Sequence, residues 1–228
     1  MRLALLLALA TGFSVSSPAS SYRYEAGGGG ELSLYSARVF PALYHIRGLD
    51  RELIDMHLAL YRGYVNQTNQ LLIKLRQISR SAQRSSILFG ALSRRFGWEY
   101  NGMRLHELYF ENLGGSGTLD PGAALLLAIK GVFGSFDNWK REFTQLGNSR
   151  GVGWVMLAID PKTGDLFNQW VDEHDTGALV GVHPLVVMDV WEHAYITQFG
   201  LNRGAYIELF LKNLDWNIAE QRFEVSSL

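Results

Sequence analysis

The chain has 228 residues, a hydrophobic fraction of 47% and a formal net charge of −1. This composition supplies a packed core, and it argues against a disordered chain and against the basic surface of a nucleic-acid-binding protein. The six histidines and the absence of cysteine exclude disulfides, thiolate metal sites and cysteine nucleophiles, so any metal must be bound by nitrogen and oxygen.

The N-terminus is similar to a secretory signal. Arg2 precedes a short apolar run at 3–10, and small residues follow. We therefore predict a signal-like segment at 1–20 and export to the periplasm or the cell exterior, with import into an organelle as the alternative. The run is too short for a membrane span, and no later segment predicts one. Residues 21–36 include four consecutive glycines and predict a flexible linker.

The next part of the chain predicts a long helical hairpin. Apolar side chains recur at spacings of three and four residues over 50–78. A second helical face includes His106 and ends at the glycine-rich tract 114–117. We place the N-terminal helical hairpin domain at 37–117.

Two further helix starts follow the hairpin. Asp120-Pro121 combines a good capping residue with a proline that suits the first turn of a helix. Ser135 precedes another helical face, which Gly147 ends.

The pattern then changes from helical to β. Short β-rich runs at 154–159 and 166–171 flank an Asp-Pro-Lys-Thr-Gly turn and predict a hairpin, and 185–190 predicts a third strand. Helix returns at about 203–216. The fold class is therefore α+β: the helical hairpin, then a C-terminal α/β domain at 118–228 with a small, about three-stranded antiparallel sheet and flanking helices.

The segment Asp189-Val190-Trp191-Glu192-His193 places a carboxylate and an imidazole four residues apart. Both groups can reach one cation. Considered alone, the pair is explained at least as well by a buried Asp–His hydrogen bond. Likewise, a single histidine on an apolar helix face, such as His57 or His106, is more often a core residue than a ligand.

Together with Ala194-Tyr195, this segment resembles the signature of the iron/manganese superoxide dismutases. The resemblance covers nearly all of residues 38–223. It implies an enzyme that converts superoxide to dioxygen and hydrogen peroxide at a single metal ion, which cycles between its trivalent and divalent states. Three other runs carry the resemblance: Gly134-Ser135-Phe136, Gly153-Trp154 and Leu214-Asp215-Trp216, the last with Asp in place of the family's Asn.

The resemblance implies one iron or manganese ion per subunit, held by His57, His106, Asp189 and His193. His57 is followed by Tyr64-Val65, one residue closer than in the commoner family pattern, which we interpret as a helix without a bulge. His106 is followed by Tyr-Phe where the family has Tyr-Trp.

Two catalytic residues are implied beside the ligands. The family places a Gln or a His against the solvent at the metal; here His174 stands on the strand side, fifteen residues before Asp189. The other variant places a Gln where this chain has Gly102. Tyr64 corresponds to the tyrosine at the mouth of the site, which relays protons. A histidine in this position occurs in iron-dependent and in metal-tolerant members, whereas Gly102 resembles the manganese pattern, and of the two metals we favour iron. The alternative for His174 is a polar loop residue between acidic neighbours.

Assembly and steering also follow from the resemblance. Glu192 would pair with the partner subunit's His193 in a homodimer. Two departures, Tyr61 for His and Ile196 for Tyr, remove a hydrogen bond that normally crosses the dimer. Arg203 resembles the arginine that attracts the anionic substrate, superoxide, and the alternative for it is a surface charge at a helix start.

Two other functions compete with this interpretation. One is a non-enzymatic interaction or assembly protein on the same fold, and the other is a metal-dependent hydrolase. An assembly protein would be expected to lose ligands, whereas this chain keeps all four. A hydrolase would need a carboxylate base near the metal, and Glu192 is the one candidate in the sequence. We therefore predict a superoxide dismutase with no nucleic-acid partner and no membrane span.

Overall fold

The computed structural model describes residues 32–81 and 86–226. The predicted signal-like segment and most of the predicted linker lie outside the described residues. The chain divides into two units, Met1–Ser36 and Ala37–Leu228, and the second contains every helix and strand described below. None of the described helices is long and apolar enough to cross a membrane.

A hairpin of two long helices, α1 (Arg51–Ser79) and α2 (Ile87–Glu111), forms the first part of the second unit. The α1 helix is α-helical throughout, as the short spacing between His57 and Tyr64 predicted. The hydroxyl of Ser86 caps α2 by accepting from the Phe89 amide at 3.2 Å. The predicted helical hairpin is confirmed.

Three antiparallel strands form the sheet: β1 (Trp154–Ile159), β2 (Leu166–Val171) and β3 (His183–Asp189), in the order β2-β1-β3. The central strand β1 is buried along its whole length. Its first residue, Trp154, lies opposite both Val171 and Asp189. The predicted α+β class and three-stranded sheet are confirmed, and the sheet brings Trp154 beside Asp189.

Five shorter helices flank the sheet: α3 (Ala124–Phe133), α4 (Phe136–Gly147), α5 (Ile196–Phe199), α6 (Arg203–Lys212) and α7 (Trp216–Ser226). Ser135 caps α4 as predicted, by accepting from Asn138 at 3.1 Å. The helix predicted at Asp120-Pro121 begins later, because the Asp120 carboxylate closes a turn onto the Gly122 amide at 2.7 Å. The first amides of α3 donate instead to Glu220 of α7.

The helix predicted over 203–216 is two helices. The chain leaves helical geometry after α6, because Asn213 accepts hydrogen bonds from Gly114 and Gly115 through its carbonyl. Leu214 also forms an isolated β-bridge with Leu113. The glycine-rich tract after α2 is therefore bound directly to the α6–α7 junction.

The outer edge of β3 is covered by side chains. The Asn112 Oδ1 accepts from the Val187 amide at 2.9 Å, and the Arg222 Nη1 donates to the Leu185 carbonyl at 3.1 Å. Arg222 also donates to Asn112 Oδ1 and to Glu111. These contacts attach the edge strand to the end of α2 and to α7.

Candidate metal centre

Four side chains from three parts of the fold meet at one point. His57 comes from the second turn of α1 and His106 from the last turns of α2. Asp189 ends β3, and His193 follows in the 3₁₀ turn Glu192–Ala194. One ligand atom from each lies within 4.8 Å of every other. The structure thus brings together all four residues that the sequence predicted as ligands.

The three imidazoles converge on a single carboxylate oxygen. Asp189 Oδ2 lies 3.1 Å from Nε2 of His193, 3.2 Å from Nε2 of His57 and 3.7 Å from Nε2 of His106. The other carboxylate oxygen, Oδ1, accepts from the Trp191 amide at 2.8 Å. The carboxylate is therefore held in one orientation, with Oδ2 facing the histidines.

Two of these ring nitrogens lack the hydrogen-bond partner that burial demands. Within the described ranges, the buried Nε2 atoms of His57 and His106 make no hydrogen bond of good geometry. His106 Nδ1 lies 2.6 Å from the Gly102 carbonyl, which only accepts, so Nδ1 carries the proton and Nε2 presents a lone pair. Orphaned lone pairs beside a buried carboxylate fit a first-row metal cation bound by nitrogen and oxygen.

The protonation states agree with metal binding. Burial lowers the pKa of His57, and it lowers the pKa of His106 well below the usual value, so both imidazoles are neutral. Burial alone would raise the pKa of Asp189, but the neighbouring imidazoles of His193 and His57 outweigh it. The pKa of Asp189 therefore lies well below its ordinary range. A metal ion requires these deprotonated forms.

A second group of side chains lies beside the cluster. Trp154 Nε1 donates to His174 Nδ1 at 3.1 Å, so in the neutral ring Nε2 carries the proton. His174 Nε2 then donates to the Tyr64 hydroxyl oxygen at 2.7 Å. Burial lowers the pKa of His174 to about 4 and raises the pKa of Tyr64 to about 12, so both groups are neutral near pH 7. The structure brings together the two residues predicted as catalytic.

Gly102 explains why His174, which lies in the loop after β2 and not on the strand itself, fills this place. A Cβ at Gly102 would lie 2.6 Å from the Tyr64 ring, and real Cβ atoms do not approach that closely. A glutamine at this position would displace Tyr64. The helix position used by the other family variant is therefore closed by the tyrosine itself.

Two residues of the site were not identified from the sequence. The ring centroid of Trp98 lies 4.8 Å from that of His174 and 6.1 Å from that of Trp191, so it forms part of the wall. Trp98 stands eight residues before His106 on α2, and that helical spacing was the available signal. Tyr206, from α6, donates to the Asp189 carbonyl at 2.7 Å.

The two family departures have separate environments. Tyr61 is fully buried; its hydroxyl accepts from the Arg38 amide and donates to Glu107, each at 2.9 Å. Ile196 has 40% of its surface exposed. Tyr61 thus binds the start of the second unit to the helical hairpin.

Arg203, for which steering of the substrate was predicted, is held in place by hydrogen bonds. Its guanidinium donates to the carbonyls of Ser149 at 2.7 Å and Gly151 at 2.6 Å, and more weakly to that of Gly147 at 3.4 Å. Nε and Nη2 also donate to the Tyr195 hydroxyl. All five N–H donors of Arg203 are therefore engaged by the protein, and none is left for an anion.

Comparison with known proteins agrees with this geometry. Residues 121–222 match the family model of the C-terminal domain of iron/manganese superoxide dismutases. The chain is 36% identical over 181 residues to a protein from Cupriavidus metallidurans named superoxide dismutase [Fe], covering 78% of this chain and 90% of that protein.

Two further relatives are named for different metals. A superoxide dismutase [Fe] from Saccharolobus solfataricus is 31% identical over 193 residues, which cover 81% of this chain and 92% of the relative. A superoxide dismutase [Mn] from Haloarcula marismortui is 42% identical over 125 residues, 55% of this chain and 61% of the relative. The chain belongs to the iron/manganese superoxide dismutase family.

Proposed function

We propose that His57, His106, Asp189 and His193 hold one iron or manganese ion, and that the protein dismutates superoxide there to dioxygen and hydrogen peroxide. The observation that carries the proposal is the convergence of three imidazole Nε2 atoms on Asp189 Oδ2. The bound ion supplies a one-electron couple between its trivalent and divalent states. The protein supplies three imidazoles, a fixed carboxylate and aromatic walls.

Protons from solvent reach the site through the second group of side chains. His174 holds a proton at Nε2, directed at the Tyr64 oxygen, so the hydroxyl proton of Tyr64 is left to point elsewhere. Tyr64 is half-buried whereas His174 is buried, which places the tyrosine between the interior and solvent. We therefore assign Tyr64 to proton transfer at the mouth, with His174 fixing its orientation.

The direct test is metal analysis of natively purified protein together with measurement of superoxide consumption. We expect about one iron or manganese ion per chain and rapid consumption, with iron in excess because a histidine fills the position of His174. A protein that binds neither metal and leaves superoxide untouched would instead support the assembly function on the same fold.

A homodimer is the proposed assembly. His193 is the one ligand whose side chain is partly exposed, at 23%, and within the described residues its ring is hydrogen-bonded through Nε2 alone. Its Nδ1 is therefore available to a carboxylate. Glu192 is exposed beside it, at a surface groove of about 660 Å³ that also contains Leu201, which is 95% exposed. Two-fold symmetry would place each Glu192 against the partner subunit's His193.

Replacing Glu192 with alanine is expected to weaken the dimer by about tenfold or more and to reduce metal retention, because the same carboxylate orients a ligand. Sedimentation velocity over a concentration series measures the first effect, and metal content measures the second. Glu224→Ala changes an exposed glutamate on α7 and serves as the matched control. A wild-type protein that stays monomeric at micromolar concentration contradicts the dimer.

Export of the protein is also proposed, on the basis of the apolar run at 3–10 and the small residues after it. Processing is expected to leave a new N-terminus near residues 18–22. N-terminal sequencing of native protein from the periplasm or the culture medium measures this. An intact Met1 on protein recovered from the cytosol would count against export.

A further inference from the structure

Arg95 lies on the same face of α2 as the ligand His106. The two residues are eleven positions apart, which is close to three full turns, so their side chains project in nearly the same direction about 16 Å apart along the helix axis. Trp98 and Gly102 lie between them on adjoining parts of that face. The helix therefore leads from the cluster, past the Tyr64–His174 pair, to Arg95 at the surface.

The guanidinium of Arg95 is held in place yet open to solvent. Nε and Nη2 lie 2.7 Å and 2.5 Å from one oxygen of the buried Glu99. The Cζ atom lies 5.4 Å from the ring centroid of Trp98, whose ring contacts His174. The Arg95 side chain is 56% exposed, and within the described ranges its Nη1 makes no hydrogen bond. Three of its five N–H donors, including both on Nη1, are thus free for an anion, whereas Arg203 has none.

The charge of Arg95 is felt at the site. Burial is the main cause of the lowered pKa of His174 and the raised pKa of Tyr64, and the charge of Arg95 lowers the pKa of both groups. Glu99 and Asp175 act in the opposite direction on Tyr64 and His174, respectively. The electrostatic field beside Tyr64 and His174 therefore has contributions of both signs, and the positive contribution of Arg95 attracts an anion.

We propose that Arg95 receives superoxide at the rim of the site and directs it past Trp98 to the Tyr64–His174 pair. This inference rests on the proposed dismutase activity and adds a specificity-determining residue to it. The alternative is that Arg95 serves only as a surface partner of Glu99. Steering depends on ionic strength, whereas a structural ion pair would affect the rate equally at all salt concentrations.

The test measures the second-order rate of superoxide consumption by pulse radiolysis for metal-loaded protein over a range of ionic strength. Arg95→Gln is expected to lower the rate by about threefold at low salt and to flatten its salt dependence, as loss of one nearby charge predicts. Arg95→Lys keeps the charge and should retain most of the rate. Arg94→Gln, one residue away and exposed on another side of α2, is the matched control and should behave as wild type.

Binding of azide, followed by optical titration of the same proteins, gives a readout without turnover. Azide should bind the Arg95→Gln protein about threefold more weakly at low salt. An unchanged rate and azide affinity in Arg95→Gln would overturn the inference, as would an equal loss at all ionic strengths or an equal loss in Arg94→Gln. A metal-loaded wild type that does not consume superoxide would instead refute the dismutase activity itself.

Discussion

Replacing His106 with alanine is expected to abolish tight metal binding and superoxide consumption together. The substitution removes one of the three Nε2 atoms that face Asp189 Oδ2. It also leaves the Gly102 carbonyl without the donor that fixes the ring. Loss of an orienting partner alone costs roughly 10- to 100-fold in metal affinity, and loss of the ligand itself should exceed that. Metal content per chain and the rate of superoxide loss measure the two effects.

His45→Ala is the matched control, because His45 is exposed and lies outside the cluster. It should keep full metal and activity. Circular dichroism distinguishes loss of the site from loss of the fold, since the His106 protein should retain the helix content of the wild type. A His106→Ala protein with one tightly bound ion and normal turnover would show that the cluster is not the metal site.

His174→Ala is expected to keep the metal, to shift its reduction potential and to slow turnover by about tenfold or more. The substitution leaves Trp154 Nε1 without its acceptor and Tyr64 without the N–H that orients it. A redox titration and the superoxide rate measure these changes. His183→Ala removes a histidine on the far strand end, bonded to Ser226, and should leave both quantities unchanged.

Acid stability of the metal-free protein gives an independent readout for His174. Its pKa is about 4 in the folded protein against a usual 6.5, so between these values the unfolded chain binds more protons. The free energy of unfolding therefore falls as the pH drops from about 6.5 towards 4, and this contribution is constant below that. Burial of His57 and His106 lowers the free energy of unfolding in acid in the same way. The effect of His174 is therefore measured as the difference in that free energy between the His174→Ala protein and the wild type. If the two proteins lost stability equally on acidification, His174 would be shown to be exposed to solvent.

The parts of the fold that local pattern determines were predicted from the sequence. The β-rich runs and the turn residues around Asp160 predicted the β1–β2 hairpin, and Ser135 predicted the start of α4. The helix expected at Asp120 begins at Ala124, because Glu220, almost a hundred residues later, accepts from its first amides. The break before α7 likewise depends on pairing of Leu214 with Leu113. Contacts of this range leave no local signal.

The site shows the same division. The resemblance supplied the four ligands. Tyr64 and His174, which were predicted to lie beside the ligands, are hydrogen-bonded to each other there. The hydrogen bonds of Arg203 could not be predicted, because its donors are engaged by carbonyls at Ser149 and Gly151, and only the folded chain brings these within reach. Arg95 has no counterpart in the family motifs that the sequence displays. Arg95 lies on the same helix face as His106, and its link to the site follows only from the contact between Trp98 and His174 in the folded chain.

The covered edge of β3 has a consequence for the carboxylate at its end. Successive side chains of a strand point to opposite faces, so a slip of β3 by one residue would turn Asp189 away from the three histidines. Asn112 and Arg222 bind β3 at Val187 and Leu185, two and four residues before Asp189. They therefore fix the alignment of the strand as well as cover its edge, and the aspartate ligand depends on them for the face that it occupies.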